Sequence, residues 1–459
     1  MNQPGRTPNH TNESGAPHAQ PGFWQRLVLL KPGELAPLLW SAGYFFCVLF
    51  GMFMLRPVRD TFGIRGDLSD LPWLWTGTSV AVLLATPLFA LLVSRQPRRR
   101  FMPWLYHFFA ANLLAFYGLL LTSPSEQAST VAGYAFYVWY SVFNLFAVSV
   151  FWGFMTDVWT SEQSTRLFGA LAVGGTLGAT LGSSVPAFLA ERIGNTNHLL
   201  PMSALMLEFA VLCIWMLVRR FGLHTGAPSA GPLDATTHAS QPEPTPNVWS
   251  GFVLISRSPY LLAMAAFMLL YTITSTFLYF EQVRIVKETF SDRAAQTAAF
   301  GRIDLLTNLL TLVTQILLTG RFVRRLGVGA GLCLIPMLTI LGFAALMLAP
   351  HVGWPIFITF AVFQALRRSM HHAVDRPTRE MLYTPLGPDE KYKSKSFIDT
   401  FVYRGGDLLG AWANAIKGFA ATVELVAIAL GVVWCVVGVF LASKHASLLA
   451  QRREQRARL

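Results

Sequence analysis

Three charged side chains stand at the end of the first long apolar stretch, in the segment LRPVRDTF (55–62). Arg56 and Arg59 are three residues apart, so they share one face of a helix, and Asp60 follows directly. The planar guanidinium fork of arginine suits phosphate and carboxylate groups. The cluster therefore predicts a binding site for an anion. The alternative is that both arginines extend from an apolar helix towards water.

A second charged cluster, FEQVRIVKETF (280–290), closes the seventh apolar stretch. Glu281 is its member nearest the apolar interior, and Arg284 follows three residues later. The two clusters occupy matching positions in the two halves of the chain, so we expect both to face one central passage. The alternative is a ladder of ion pairs in water.

The eleventh apolar stretch contains a cation and an anion, Arg404 and Asp407. A lone charge is expensive in lipid, and a spacing of three residues lets these two pair on one helix face. We interpret them as a pair on the substrate side, with a purely structural pair as the alternative.

The eighth apolar stretch carries a polar stripe spaced four, three and four residues apart: Asp304, Asn308, Thr311 and Gln315. This spacing places the four side chains on one face of a helix. A polar face cannot meet lipid, so it lines a cavity or packs on a neighbouring helix.

Composition places these charges in a membrane protein. Of 459 residues, 53% are hydrophobic and only 13% are charged, whereas soluble domains carry about 25% charged residues. The four cysteines all lie in apolar stretches without metal-ligand spacing, and no phosphate-binding loop or nucleophile elbow occurs. The sequence therefore predicts no enzyme, no cofactor, no metal site and no nucleic-acid partner, and it leaves protein partners unknown.

Twelve apolar stretches organise the chain, and each must close its own backbone hydrogen bonds as a helix. They fall at approximately 36–55, 72–94, 101–121, 131–155, 167–190, 199–218, 259–280, 300–319, 327–349, 353–366, 396–416 and 422–442. The sequence thus predicts an all-α membrane protein of about twelve transmembrane helices. The tenth stretch is short, and we assign the basic residues from Arg367 to Lys395 to the loop after it.

A segment rich in Pro, Ala and Thr, residues 221–250, divides the chain into two blocks of about six helices. The blocks repeat a basic loop after the second and the eighth stretch and a glycine motif, GGTLGA (174–179) and GGDLLGA (405–411). This layout is typical of major-facilitator-type transporters. The expected division is a disordered cytoplasmic tail 1–35, a six-helix half 36–220, a flexible cytoplasmic linker 221–250, a six-helix half 251–443 and a basic cytoplasmic tail 444–459.

The distribution of Lys and Arg predicts the orientation. With the N-terminus inside, the basic runs 95–100 and 321–325, the stretch 367–395 and both termini all fall on the cytoplasmic side. This satisfies the positive-inside rule, and the opposite orientation violates it. We expect a multi-pass protein of the bacterial inner membrane with both termini in the cytoplasm.

The glycines at 174, 178 and 182 form a ridge that predicts close helix packing.

Several segments resemble the ATP/ADP antiporter family, the nucleotide translocases of plastids and intracellular bacteria. They are LRPVRDTF (55–62), FWGFMTDVWTSEQSTRLFGALAVGG (151–175) and DRPTREMLYTPLGPDEKYKSKSFIDTFVYRGGDLLGA (375–411). The resemblance implies a major-facilitator-like fold that exchanges nucleoside phosphates.

Individual residues of that family match positions in this chain. The resemblance assigns functional roles to Arg59-Asp60, Glu281, Arg379-Glu380, Lys393 and Lys395. Two family lysines are arginines here, and a family glutamate corresponds to Tyr140.

The leading hypothesis is an antiporter of nucleotides, or of another phosphorylated organic anion, that works by alternating access. One alternative is a transporter of the same fold for an unrelated solute, proton-coupled through Asp60 or Glu281. Another is a membrane scaffold that has lost transport. The candidate substrate-binding residues are Arg56, Arg59, Asp60, Glu281, Arg284, Asp304, Asn308, Arg379, Lys395, Arg404 and Asp407.

Overall fold

A computed structural model describes residues 30–31, 33–95, 98–220, 248–317, 321–416 and 418–458. The predicted disordered tail up to residue 29 and most of the predicted linker, residues 221–247, lie outside the described residues. The side chains of the basic runs 95–100 and 321–325 also lie outside the description. The domain boundaries and the charge-based orientation therefore remain predictions.

Six long helices form the N-terminal half, in antiparallel order because short connections join them. They are α1 (Leu35–Gly63), α2 (Leu71–Arg95), α3 (Arg98–Thr122), α4 (Glu126–Val158), α5 (Ser161–Ile193) and α6 (Leu199–Arg220). The carboxylate of Glu34, just before α1, accepts hydrogen bonds from Arg166 in the first turns of α5 at 2.9 and 3.0 Å. These bonds hold the pKa of Glu34 at about 2. We call the side of the molecule at which α1 and α5 begin the proximal side, and the opposite side distal.

The C-terminal half begins with one short helix and repeats the six-helix layout with two interruptions. Its helices are α7 (Val248–Arg257), α8 (Pro259–Thr289), α9 (Arg293–Leu317), α10 (Arg321–Val352), α11 (Ile356–Met370), α12 (Arg376–Met381), α13 (Pro388–Phe397), α14 (Tyr403–Asn414) and α15 (Val423–Arg458). A π-helical turn, His371–Asp375, joins α11 to α12, and a second one, Ile398–Val402, joins α13 to α14. The last helix continues through the predicted basic tail.

The prediction for the tenth apolar stretch was wrong at its end. The helical path does not stop at residue 366 but continues through α11, the π turn and α12 to Met381. Residues 356–381 span about 39 Å at 1.5 Å per residue, whereas 14 residues reach only about 21 Å and cannot cross the ~30 Å core of a bilayer. Arg367 and Arg368, assigned from the sequence to a loop, therefore lie inside the helical bundle.

Within the described residues, nine helices are long and apolar enough to cross a membrane: α1 to α6, α8, α10 and α15. The helical paths through α9, α11–α12 and α13–α14 lack the required apolarity or unbroken length, because they carry most of the buried polar groups of the C-terminal half. The described residues form helices and no β-strand, which confirms the predicted all-α membrane fold.

The glycine ridge of α5 brings that helix directly onto α1, as the sequence predicts. A Cβ atom on Gly174 would lie 2.7 Å from the carbonyl oxygen of Ala42, and Gly178 and Gly182 meet the α1 backbone at Phe46 and Phe50 in the same way. Any side chain at these positions would push the two helices apart. The repeated glycine motif does the same in the other half, where Gly406 and Gly410 of α14 lie against Thr272 and Thr276 of α8.

The buried apolar side chains form three clusters, and their positions show how the two halves meet. One cluster lies wholly within the N-terminal half and one wholly within the C-terminal half. The third is shared, and it packs Ile64, Leu71 and Tyr137 against Phe277 and Val283. These residues belong to the distal ends of their helices, so the apolar seal between the halves is distal.

Polar contacts between the halves follow the same distribution. The hydroxyls of Thr61 and Thr297 lie 2.9 Å apart, Lys287 Nζ donates to the carbonyl oxygen of Gly66 at 2.7 Å, and Trp412 Nε1 donates to Thr76 Oγ1 at 3.2 Å. Among the described residues, every hydrogen bond and ion pair between the halves lies in the middle or distal part of the bundle. Within the described residues, the two halves are therefore joined in the middle and on the distal side of the bundle.

Candidate functional site

Charged residues of three helices meet in the middle of the molecule, where the halves come together. We call Arg56, Arg59 and Asp60 of α1, Asp304 of α9 and Arg368 of α11 the central cluster. Arg368 Nη1 lies 2.9 Å from Asp304 Oδ1, and Arg56 Nη1 lies 3.5 Å from the same oxygen. The Asp304 side chain is only 4% exposed, and its second oxygen has no hydrogen-bond partner in the described part of the chain. One carboxylate oxygen thus holds one arginine from each half.

Arg59 is enclosed rather than extended towards water. Its side chain is 15% exposed, its Nη1 lies 2.8 Å from Asp60 Oδ1, and its guanidinium lies 3.7 Å from the centre of the Tyr137 ring. Tyr279 of the other half donates to the same Asp60 oxygen at 3.0 Å, and its hydroxyl lies 3.0 Å from that of Tyr137. Arg59 and Asp60 therefore lie next to the distal seal, in contact with Tyr279 of the other half.

The central cluster carries an excess of positive charge, because three arginines face two aspartates. A guanidinium has five N–H donors, and the two aspartates occupy only a few of those available here. In a low-dielectric interior, unmatched donors and positive charge attract an anion strongly. The arrangement is suited to binding phosphate or carboxylate groups, and phosphate fits the fork geometry of arginine.

Arg367 points away from the central cluster into the C-terminal half, although it neighbours Arg368 in sequence. It is only 3% exposed. Its guanidinium donates to the hydroxyls of Thr339 at 2.9 Å and of Thr274 and Ser275 at 3.1 Å. Hydroxyls and not carboxylates accept its hydrogen bonds, so within the described residues no ion pair neutralises this arginine.

A second ionic group lies one turn further along the same helical path. Asp375 Oδ2 lies 2.9 Å from His371 Nδ1 and 3.1 Å from Arg379 Nε, and the Asp375 side chain is fully buried. The His371 ring stacks on Tyr271 with ring centres 4.5 Å apart. Arg379, a candidate substrate residue, is thus fixed inside the C-terminal half and not between the halves.

A cavity of about 330 Å³ opens beside this group, on the proximal side of the C-terminal half. Both π turns contribute to its wall, His371 from the first and Asp399 from the second. Lys395, another candidate, forms an ion pair at 2.7 Å with Glu380 of the cavity wall. A larger depression along α4 has no charged side chain in its lining and takes no part in this arrangement.

Two other predicted groups form separate pairs. Glu281 pairs with Arg284, which also lies 3.4 Å from Glu424 of α15. The predicted pair of Arg404 and Asp407 is present at 3.7 Å, with Thr276 of α8 donating to Asp407 at 3.5 Å.

Asn308 packs between helices, one of the two environments that its polar stripe allows. Its amide donates to the carbonyl oxygen of Ala179 and to Ser183 Oγ of α5, at 3.2 and 3.3 Å.

The eleven candidates therefore fall into five places, and the structure brings together from different helices only Arg56, Arg59, Asp60 and Asp304. The pairs Glu281–Arg284 and Arg404–Asp407 each lie within one helix. Sequence reasoning missed Arg368 because it ended the tenth stretch too early. The adjacent arginines of the segment ALRRSM (365–370) were the available signal, because the apolar stretch before them is too short to cross a membrane. Tyr137 and Tyr279 gave no signal, since aromatic residues are common throughout apolar stretches.

Comparison with known proteins agrees with this geometry. The family model described as TLC ATP/ADP transporter matches residues 119–451. The chain belongs to the TLC ATP/ADP transporter family. It is a multi-pass membrane transporter and not an enzyme.

Relatives of this TLC family member cover most of its length. ADP,ATP carrier protein 1 of Chlamydia muridarum is 23% identical over 86% of the chain and 85% of its own length. ADP,ATP carrier protein 3 of Rickettsia bellii is 20% identical over 81% and 84%. Among solved structures, a mutant of the nucleoside transporter NupG matches with a TM-score of 0.58 at 12% identity over 90% of this chain and 99% of its own. A bacterial homologue of the iron transporter ferroportin matches with 0.60 at 13% identity, over 90% and 100%. These two structures share the fold of this chain.

Proposed function

We propose that the chain exchanges nucleotides, ATP and ADP or similar phosphorylated anions, across a bacterial inner membrane by alternating access. The observation that carries the proposal is the central cluster, in which Arg56 and Arg368 from opposite halves share one oxygen of Asp304. A phosphate group can replace that oxygen and satisfy both arginines. The relatives named ADP,ATP carriers support a nucleotide as the anion.

The charge excess of the cluster also explains exchange rather than one-way transport. If the proximal side closes without substrate, three arginines and two aspartates are sealed in a dry interior with one uncompensated positive charge. A buried charge without a partner costs several kcal/mol by most accounts. A bound phosphate chain supplies the missing negative charge and hydrogen-bond acceptors to the arginines and lets the halves close. The empty carrier therefore returns slowly, and one nucleotide must leave as another enters.

The proposal includes an orientation. The positive-inside rule makes the side at which α1 begins cytoplasmic, because the sequence predicts the basic runs and both termini on that side. Reporter fusions at both termini and at residue 235 should all report the cytoplasm. A periplasmic signal at residue 235 would contradict the arrangement of six helices on each side of the linker.

The test of function is transport by purified protein in lipid vesicles. Labelled ATP should accumulate when the vesicles contain ADP and should not accumulate when they contain none. Arg368→Gln should abolish this uptake because it removes the arginine that the C-terminal half supplies to the cluster. Arg302→Gln is a matched control, since it makes the same charge change on α9, where Arg302 and its partner Glu191 are 44% and 48% exposed. Uptake that is independent of internal nucleotide would contradict exchange.

A further inference from the structure

The cavity of the C-terminal half has the volume of a binding site, and two unusual backbone turns border it. Its volume of about 330 Å³ lies within the range of small-molecule pockets, roughly 300–1,000 Å³. Its wall includes residues of both π-helical turns of the described chain, His371–Asp375 and Ile398–Val402. Such turns are rare and often occur at functional sites. Two of them facing one cavity indicate that the backbone is shaped around a ligand.

The cavity wall combines flat aromatic rings with positively and negatively charged side chains. Phe267, Tyr383 and Tyr403 supply aromatic rings, and Arg376 and Asp399 supply a cation and an anion. Within the described residues, the Asp399 carboxylate has neither an ion pair nor a hydrogen bond. A phosphate chain would be repelled by that carboxylate. A nucleobase is suited to it, because its faces stack on aromatic rings and an amino group on its edge can donate to a carboxylate.

The cavity is also rigid on one side. The buried carboxylate of Asp375 binds both His371 and Arg379, which line the cavity, at 2.9 and 3.1 Å. The ring of Tyr271 supports His371 from behind at 4.5 Å. Side chains held in this way lose little freedom when a ligand binds, so the wall is preorganised.

A row of basic residues leads from the central cluster to the cavity. Arg368 belongs to the cluster, Arg376 lines the cavity, and His372 lies between them at intervals of four residues. Eight residues of helix cover about 12 Å, the scale of a nucleoside carrying two or three phosphates. The row can therefore hold a phosphate chain whose far end lies at Arg56 and Arg368 of the central cluster.

We propose that this cavity binds the base of the transported nucleotide, with the phosphates extending along Arg376 and His372 to the arginines of the central cluster. In this arrangement Asp399 accepts a hydrogen bond from the amino group of the base and selects for adenine-type nucleotides. The inference rests on the proposed function, and it adds a residue that determines base specificity.

The experiment measures how strongly three unlabelled compounds inhibit exchange of labelled ATP in vesicles that contain ADP. They are ADP, its N6,N6-dimethyl derivative, which lacks the amino donor, and inorganic tripolyphosphate, which lacks the base. The wild type should bind ADP at least about tenfold more tightly than the dimethyl derivative, the effect of one hydrogen bond to a charged group. In Asp399→Ala this preference should disappear, whereas inhibition by tripolyphosphate should stay within twofold, on the order of experimental error.

Asp389→Ala is the matched control, because Asp389 is a neighbouring carboxylate on α13 whose side chain is 83% exposed and does not line the cavity. It should keep the wild-type preference. Equal inhibition of the wild type by ADP and its dimethyl derivative would overturn the base subsite and leave nucleotide exchange standing. An unchanged preference in Asp399→Ala would do the same. Absence of nucleotide exchange by the wild type would overturn the proposed function and this inference together.

Discussion

Neutralising Asp304 tests whether its carboxylate holds the two halves together until substrate arrives. In Asp304→Asn, Arg56 and Arg368 lose the negative charge of the carboxylate whose oxygen they share at 3.5 and 2.9 Å. At these distances each attraction is on the order of 5 kcal/mol with an effective dielectric constant of 20, before desolvation is subtracted. Breaking a buried ion pair by removing one partner typically lowers the free energy of unfolding by about 3–5 kcal/mol, because the other charge remains buried. The variant should therefore be clearly less stable without ligand.

An anionic ligand should reverse this loss. Phosphate oxygens can take the place of the missing carboxylate, so ADP should stabilise Asp304→Asn more than it stabilises the wild type. Thermal unfolding in detergent, with and without ADP, measures both effects. Without ligand the unfolding temperature should fall by roughly 5 °C, and saturating ADP should recover most of the difference.

A matched control and a contrary outcome complete this test. Glu191→Gln also breaks an ion pair to α9, but its side chain is 48% exposed. Exposed pairs contribute about 0–1 kcal/mol, so this control should unfold close to the wild-type temperature. If Asp304→Asn and the wild type show the same unfolding temperature and the same stabilisation by ADP, the shared-carboxylate interpretation is wrong.

Three further predictions concern groups around the central cluster. Arg59→Lys should retain part of the ATP uptake, because an ammonium keeps the charge but not the fork, and Arg59→Gln should raise the apparent KM for ATP about tenfold or more. An unchanged apparent KM in the Gln variant would exclude contact with substrate. Asp407→Asn should lower the membrane abundance of the protein more than the double neutralisation with Arg404→Gln, since the single change strands a cation; equal losses would argue against a pair. Cysteines at positions 61 and 297, whose threonine hydroxyls are 2.9 Å apart, should form a disulfide that stops uptake until a reductant is added; undiminished uptake by the oxidised protein would show that the distal seal need not open.

Hydropathy and charge were sufficient to predict the fold because a lipid bilayer allows few backbone conformations. A segment in lipid must satisfy its own backbone, so an apolar stretch of the right length is a helix. The close packing of α5 on α1 was also predictable, because a ridge of small residues such as Gly174, Gly178 and Gly182 allows two helices to approach closely. The pairing of Arg404 with Asp407 followed from spacing alone.

The site was only partly predictable, because its members come from helices whose relative rotation is not encoded locally. Asp304 was identified as polar, but nothing in the sequence assigned it Arg56 and Arg368 as partners. Repeat symmetry suggested Glu281 as the counterpart of the first cluster, yet the contact is made by Tyr279, two residues earlier, whose hydroxyl reaches Asp60. The π turns could not be predicted from the sequence, because a π turn depends on packing rather than on a residue motif.

The central claim is that arginines from both halves bind an anionic nucleotide at one place, and equilibrium binding of labelled ATP to the purified protein tests it most directly. Wild type and the Arg302→Gln control should bind ATP saturably with equal affinity, and excess tripolyphosphate should displace the label. Arg56→Gln and Arg368→Gln, one from each half, should each weaken binding by about tenfold or more. Wild-type affinity in either of these two variants, in protein that remains folded, would contradict the account.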